Sequence, residues 1–197
     1  MWIVAGPNGA GKTTYAFRHI RAVSETTRFV NLDEIARGLS PLDPSAEPQR
    51  AARVALSMIR DLIAARLSFS LETTLAGRTH LRTVAGARAA GFRINLLYFA
   101  VAEVETSLAR IARRVAEGGH DVPEADVRRR FARSIAHFPL YAAQSDLWRA
   151  YDNNGPRART AAEGRGLCAA LRDDLSGLPA RLAREIAALP PCEERVG

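Results

Sequence analysis

The chain reads as a three-layer α/β fold, a parallel sheet covered by helices on both faces. Three observations predict it. A glycine-rich stretch, Gly6-Pro7-Asn8-Gly9-Ala10-Gly11-Lys12-Thr13-Thr14, lies between a short apolar run and a helical pattern. Short β-type runs then alternate with amphipathic helical segments, the order that produces parallel strands joined by right-handed crossovers. Finally, 197 residues at 47% hydrophobic content suit one compact domain with its own core, or one domain with a modest insertion.

Trp2 to Ala5 form the first strand, and the helix after the glycine loop runs to about Ala22. In that context Gly6-x-x-x-x-Gly11-Lys12-Thr13 is a complete Walker A sequence, which narrows the fold to the P-loop NTPase and kinase type. Its glycines let backbone N–H groups curl around phosphates, Lys12 reaches the β- and γ-phosphates, and Thr13 offers its hydroxyl to Mg²⁺. Residues 6–14 are therefore the expected nucleotide-binding set, with ATP or GTP as phosphoryl donor.

A second strand covers Arg28 to Leu32, and Asp33 opens a short helix that stops near Gly38. Between Ser45 and Leu67 the spacing of Val54, Ala55, Met58, Ile59, Leu62 and Ile63 predicts an amphipathic helix, with Pro48 in its first turn. Ser68 to Glu72 form the third strand, Arg78 to Ala90 a helix ended by Gly91, and Arg93 to Ala100 a strongly apolar fourth strand. Val104 to Glu117 is an arginine-rich helix broken at Gly118-Gly119, and another runs from Pro123 to about His137. This pair reads as a lid over about 104–137. Arg149 to Asp152 form the last strand, before the Asn153-Asn154-Gly155-Pro156 turn. The expected organisation is a core of residues 1–155 that includes the lid, with 156–197 as a helical extension of the same domain.

Ligands of such sheets bind beyond the carboxyl ends of the strands. Asp33 belongs at that edge, where it serves either as the base that takes a proton from an acceptor hydroxyl or as a helix N-cap. Glu72, Thr73 and Thr74 end the third strand, a polar cluster suited to a hydroxyl-bearing substrate, with turn capping as the plainer role of the threonines. Arg110, Arg113 and Arg114 share a helix face, and one or two of them suit a clamp on the transferred phosphate. Arg128, Arg129 and Arg130 form a second basic run, which reads as a solvated face. His19, His80 and His137 form no constellation, and the aromatic residues Phe138, Tyr141, Trp148 and Tyr151 read as core.

Among the 28 Lys and Arg residues, Lys12 is the lone lysine. Its survival inside the phosphate loop marks a place where a compact ammonium is needed. The net charge of +7 suits an anionic small substrate; the arginines are spread along helices without an aromatic-rich basic stretch, so nucleic acid is not an expected partner. No apolar run approaches the ~20 residues of a membrane span, and no signal-peptide layout is present, which predicts a cytoplasmic protein. Cys168 and Cys192 lack nearby histidines at zinc spacing, and neither a metal site nor a disulfide is expected from them.

The sequence resembles the zeta toxin family of P-loop kinases through GPNGAGKTT at 6–14, VNLDEIARGLSP at 30–41, SLETTLAGRTHL at 70–81 and ARRVAEGGHDVPEADVRRRFARS at 112–134. The resemblance covers roughly the first three-quarters of the chain. It implies phosphorylation of a sugar hydroxyl, in that family one of UDP-N-acetylglucosamine, and an antitoxin protein partner. It also implies Asp33 as base, Glu72 as substrate ligand beside Thr73 and Thr74, and Arg113 as the first γ-phosphate arginine. The second arginine of the family falls opposite His120, with Arg114, Arg129 or Arg130 as replacements. The reading that follows is a kinase acting on a small-molecule hydroxyl, with Asp33, Lys12 and Arg113 catalytic. Its rival is a nucleotide-dependent regulatory switch or ATPase module working through a protein or nucleic-acid partner.

Overall fold

The computed structural model describes residues 1–20, 26–119 and 121–192. Its sheet has seven strands among the described residues: β1 Trp2–Ala5, β2 Phe29–Val30, β3 Ser70–Thr73, β4 Asn95–Ala100, β5 Leu147–Asp152, β6 Arg159–Arg165 and β7 Cys168–Leu171. Their order is β2-β3-β1-β4-β5-β6-β7. The first five in that order run parallel, and β6 and β7 are added antiparallel. The chain leaves β1 toward one edge, returns to it as β3, and crosses to its other side as β4. β1 thus stands at the topological switch point, where α/β sheets open a crevice.

The helices are α1 (Lys12–Tyr15, continuing as a π-helix through Ile20), α2 (Leu32–Leu39), α3 (Pro48–Ala64), α4 (Thr79–Ala89), α5 (Val104–Ala116), α6 (Glu124–Ala142) and α7 (Ala180–Ala187). The last residues of the helix expected to reach Ala22 lie outside the described residues. Alternation along the strands divides the core between two faces. Ile3, Leu96 and Tyr98 join a large cluster with Phe69, Phe138 and Trp148, whereas Val4, Leu97 and Phe99 point the other way toward Ala16, Ile20 and Tyr151. This two-sided burial explains why β4 is apolar almost throughout.

Two expectations about the C-terminal part are corrected. In the described part of the stretch expected as a helical extension, residues 156–192, β6 and β7 form an antiparallel ribbon on the sheet, and α7 is the one helix described there. Alanine, arginine and glycine give β6 little strand propensity of its own. Gly164 is required because Cys168 O and the Trp148 ring both close on it; a Cβ at 164 would collide with that carbonyl and stand 2.5 Å from the indole Cζ2. The second correction concerns Cys168 and Cys192, which are joined in a disulfide. The segment after α7 returns alongside β7, with Ala169 N donating to Pro190 O at 2.9 Å, and so brings together two cysteines whose sequence spacing carries no such signal.

The break at Gly118-Gly119 is a Schellman motif. Gly118 adopts φ +84°, its N–H reaches Val115 O at 2.9 Å, and Gly119 N reaches Arg114 O at 2.8 Å. The two helices around it differ from a uniform lid. Ile111 on α5 packs with Val122 and Val127 in a small separate cluster. The second half of α6 is core: Phe138 meets Trp148 at 5.4 Å between ring centroids, and Ser134 Oγ lies 3.0 Å from Tyr98 Oη. No described helix is long and apolar enough to cross a membrane.

Candidate active site

A cleft of about 1280 Å³ opens at the carboxyl edge of the sheet. Asn8, Gly9, Gly11, Lys12, Thr13 and Thr14 of the glycine loop form one wall. Gly6, Pro7 and Ala10 form the back of that loop, where the carbonyl of Pro7 accepts from Lys12 Nζ at 2.8 Å. Lys12 is 6% exposed, and burial pushes its ammonium below the ordinary lysine value while Glu72 and then Asp33 pull it back up.

The order of the sheet brings the second wall to the first. β3 lies beside β1, with Glu72 opposite Val4 and Thr73 opposite Ala5 in register, so the polar end of β3 faces the start of α1. Glu72 Oε1 accepts from Thr13 Oγ1 at 2.9 Å, and its Oε2 accepts from Asn31 Nδ2 at 2.9 Å. Burial raises the Glu72 carboxyl above the usual carboxylate range, opposed by Lys12 and by the Thr13 hydrogen bond. The hydroxyls of Thr73 and Thr74 accept the N–H groups of Leu75 and Ala76 at 3.2 and 3.4 Å, so both turn-capping and cleft-lining are true of them.

Asp33 lines the same cleft, but it does not cap α2. That role belongs to Asn31, whose Oδ1 accepts from Asp33 N at 2.8 Å and Glu34 N at 3.2 Å. Asp33 sits one residue into the helix, with an exposed side chain. Asn31 was missed in the sequence, although an asparagine directly ahead of a helical pattern is a recognisable N-cap signal.

The arginines divide. Arg113, Arg114 and Arg130 line the cleft with Arg18 and Arg157, a rim suited to a polyanion. Arg113 is largely exposed and pairs with Glu117 at 3.2 Å. Arg130 lies 3.5 Å from Asp126, which also holds Arg129 at 2.8 Å, and Arg129 is not part of the cleft wall. Arg128 bridges Glu105 and Glu124, as a solvated face would. His120 lies outside the described residues.

Arg110 also lines the cleft, but its guanidinium is engaged by backbone carbonyls. Its Nη2 donates to Asn153 O at 2.8 Å and Asn154 O at 3.0 Å, and its Nη1 approaches Gly9 O at 3.5 Å. Asn153 in turn donates from Nδ2 to Ala10 O at 2.7 Å. The loop after β5 therefore belongs to the site, where the sequence suggested only a turn. His80 also lines the cleft, with a buried Nδ1 that has no hydrogen-bond partner among the described residues.

Fold and glycine loop together define an α/β P-loop NTPase. The chain belongs to the AAA domain family (AAA_33), which it matches over residues 1–136. It is 32% identical over 126 residues to an uncharacterized protein of Haemophilus influenzae, covering 64% of this chain and 88% of that one. A chain of the AvrRxo1-ORF1:-ORF2 structure with ATP superposes over 100% of this chain at a TM-score of 0.69 and 16% identity. The present chain spans 65% of it. A structure of the PezAT chromosomal toxin-antitoxin system of Streptococcus pneumoniae covers 80% of this chain and 69% of its own, with a TM-score of 0.58 and 18% identity. At these identities the two structures establish a shared fold.

Proposed function

We propose that the protein is a phosphotransferase that moves the γ-phosphoryl group of ATP or GTP onto a hydroxyl of a small molecule, in the manner of the zeta toxins. A sugar or nucleotide sugar resembling UDP-N-acetylglucosamine is the preferred acceptor class. The observation that carries the reading is the second wall of the cleft. Asp33, Glu72, Thr73 and Thr74 face the same space as the phosphate loop, and a nucleotide switch has no use for such an acceptor half.

In this reading residues 6–14 hold the nucleotide, and Lys12 leaves the Pro7 carbonyl for the β- and γ-phosphate oxygens. The hydroxyl of Thr13 and the Glu72 carboxylate beside it are hard oxygen donors of the kind Mg²⁺ takes, so the residues present fit that ion. Bound there, Mg²⁺ would offset phosphate charge. Asp33 accepts the proton of the acceptor hydroxyl as its oxygen attacks the γ-phosphorus and the bond to the β-phosphate oxygen breaks. Glu72 orients the acceptor, with Thr73 and Thr74 beside it. Arg113 neutralises charge on the transferred group, with Arg114 or Arg130 as its second partner. Positioning and electrostatics supply most of the catalysis in such transfers. The fold shared with the PezAT structure supports a search for an antitoxin-type protein partner.

The test is consumption of Mg·ATP in the presence of nucleotide sugars, simple sugars and nucleosides, with products identified by mass spectrometry. Asp33→Asn should lower transfer by about 10²–10⁴-fold and leave nucleotide affinity unchanged. Full turnover in that variant would remove Asp33 as the base. Tight nucleotide binding with partner affinity that depends on nucleotide state, and no acceptor, would favour the regulatory module.

A further inference from the structure

We infer that Arg110 is a positioning residue that seats α5 on the phosphate loop and thereby aims Arg113 and Arg114 at the γ-phosphate. The inference rests on the proposed nucleotide site and extends it to a residue outside the family motifs.

A guanidinium offers five N–H donors in one plane and suits acceptors that come from several directions. In Arg110 these donors are directed to backbone carbonyls of two segments that meet only in the folded chain: Gly9 in the phosphate loop, and Asn153 with Asn154 after β5. Three carbonyl contacts thus tie down a group that stands in the cleft wall itself. One turn earlier on α5, Ser107 is fully buried against Gly9, where an added Cβ would lie 2.6 Å from Ser107 O. Asn153 Nδ2 closes the circuit by donating to Ala10 O at 2.7 Å. The helix, the phosphate loop and the loop after β5 are thereby joined around one side chain.

Arg113 and Arg114 follow Arg110 by three and four residues, so they continue the same side of α5 into the cleft. Arg113 has a weak tether of its own, since its pairing with Glu117 is between largely exposed groups and contributes little. Its distance from the phosphates is therefore set by how α5 is seated. The phosphate loop does not depend on Arg110 to the same degree: Ala10 N donates to Pro7 O at 3.3 Å, and Asn153 Nδ2 donates directly to Ala10 O. Loss of Arg110 should accordingly be felt at the γ-phosphate more than at the α- and β-phosphates.

The experiment compares fluorescent ATP and ADP analogues titrated with Mg²⁺ onto the wild type, Arg110→Gln, Arg110→Lys, an Arg113→Ala/Arg114→Ala variant, and that variant combined with Arg110→Gln. Arg110→Gln should lower ATP affinity about tenfold, a difference of about 1.4 kcal/mol, while ADP affinity moves less than about twofold. Arg110→Lys, which keeps the charge and part of the donor set, should recover some of the loss. Adding Arg110→Gln to the doubly substituted variant should cost nothing further. Equal losses for ATP and ADP, or losses that multiply in the combined variant, would overturn the inference. A wild type that binds neither nucleotide would instead overturn the nucleotide site on which it rests.

Discussion

Asn31 offers a sharp test of how the two walls of the cleft are held together, because its two ends do different work. Its Oδ1 caps α2, and its Nδ2 donates to the partly buried Glu72 carboxylate. Losing an N-cap costs about 1 kcal/mol, and losing a hydrogen bond to a charged group costs about 1.5–3 kcal/mol. Asn31→Ala should therefore destabilise by about 3 kcal/mol and lower the Tm by roughly 6–12 °C, at 2–4 °C per kcal/mol for a chain of this size. Asn31→Ser keeps a capping oxygen and loses only the link to Glu72, about 2 kcal/mol. Asn31→Asp also keeps the cap but sets a second carboxylate against Glu72. At ~4 Å and an effective dielectric of ~20, two such charges repel by about 4 kcal/mol.

The aspartate variant should therefore be the least stable at pH 7, although aspartate caps helices as well as asparagine does. Its deficit should shrink as pH falls. Setting two carboxylates side by side raises the pKa of the pair in the folded state, so the associated stability is present at low pH and lost as pH rises through that value. Thermal unfolding followed by circular dichroism at pH 7 and pH 5 measures both effects. If Asn31→Asp matches Asn31→Ser at pH 7, the Asn31–Glu72 hydrogen bond does not join the walls in solution.

Gly11 adopts φ +87°, and a Cβ there would collide with the Asn153 side-chain amide, so Gly11→Ala should cost about 1–3 kcal/mol in backbone strain alone and weaken nucleotide binding in a titration. Gly86 lies inside α4 with nothing within 4 Å of an added Cβ, so Gly86→Ala should raise stability by about 1 kcal/mol in a thermal melt. Reduction of the disulfide between Cys168 and Cys192, 24 residues apart in sequence, should cost about 3 kcal/mol; the Tm in dithiothreitol should fall to that of a Cys168→Ser/Cys192→Ser variant, with nucleotide affinity unchanged. Burial lowers the His80 pKa, so the folded protein resists its protonation and loses stability as pH falls below about 6.5, the unfolded value. His80→Leu should remove that part of the pH dependence, which paired melts between pH 7.5 and 5 will test.

Much of the site was legible because its motifs are local. The glycine loop is contiguous, and a strand before it and a helix after it are recognisable by period. Glu72, Thr73 and Thr74 end a strand, a position that parallel sheets reserve for ligands. The errors fall where a side chain's partner is remote in sequence. Arg110 and Arg113 look alike three residues apart on one helix, yet Arg110 is held by carbonyls more than 40 residues away, as with Asn153 O at a separation of 43. Asp33 read as a base or a cap, and the cap is a local exception, supplied by Asn31 two residues earlier; Asn153, read as part of a turn, donates to Ala10 O 143 residues away.

By itself, then, the sequence determined the P-loop α/β fold, the glycine loop and the polar residues that share a cleft with it, since each is written in a short run with its own periodicity or spacing. The tertiary structure decided which cleft arginine is tied to backbone carbonyls, that Asn31 joins α2 to Glu72, that Cys168 meets Cys192, and that the tail adds strands. These depend on sheet order. Only when β3 lies beside β1 can Thr13 reach Glu72, 59 residues away. Only when β6 lies over Trp148 does an alanine-rich segment with weak strand propensity gain the hydrogen bonds and burial that make it a strand.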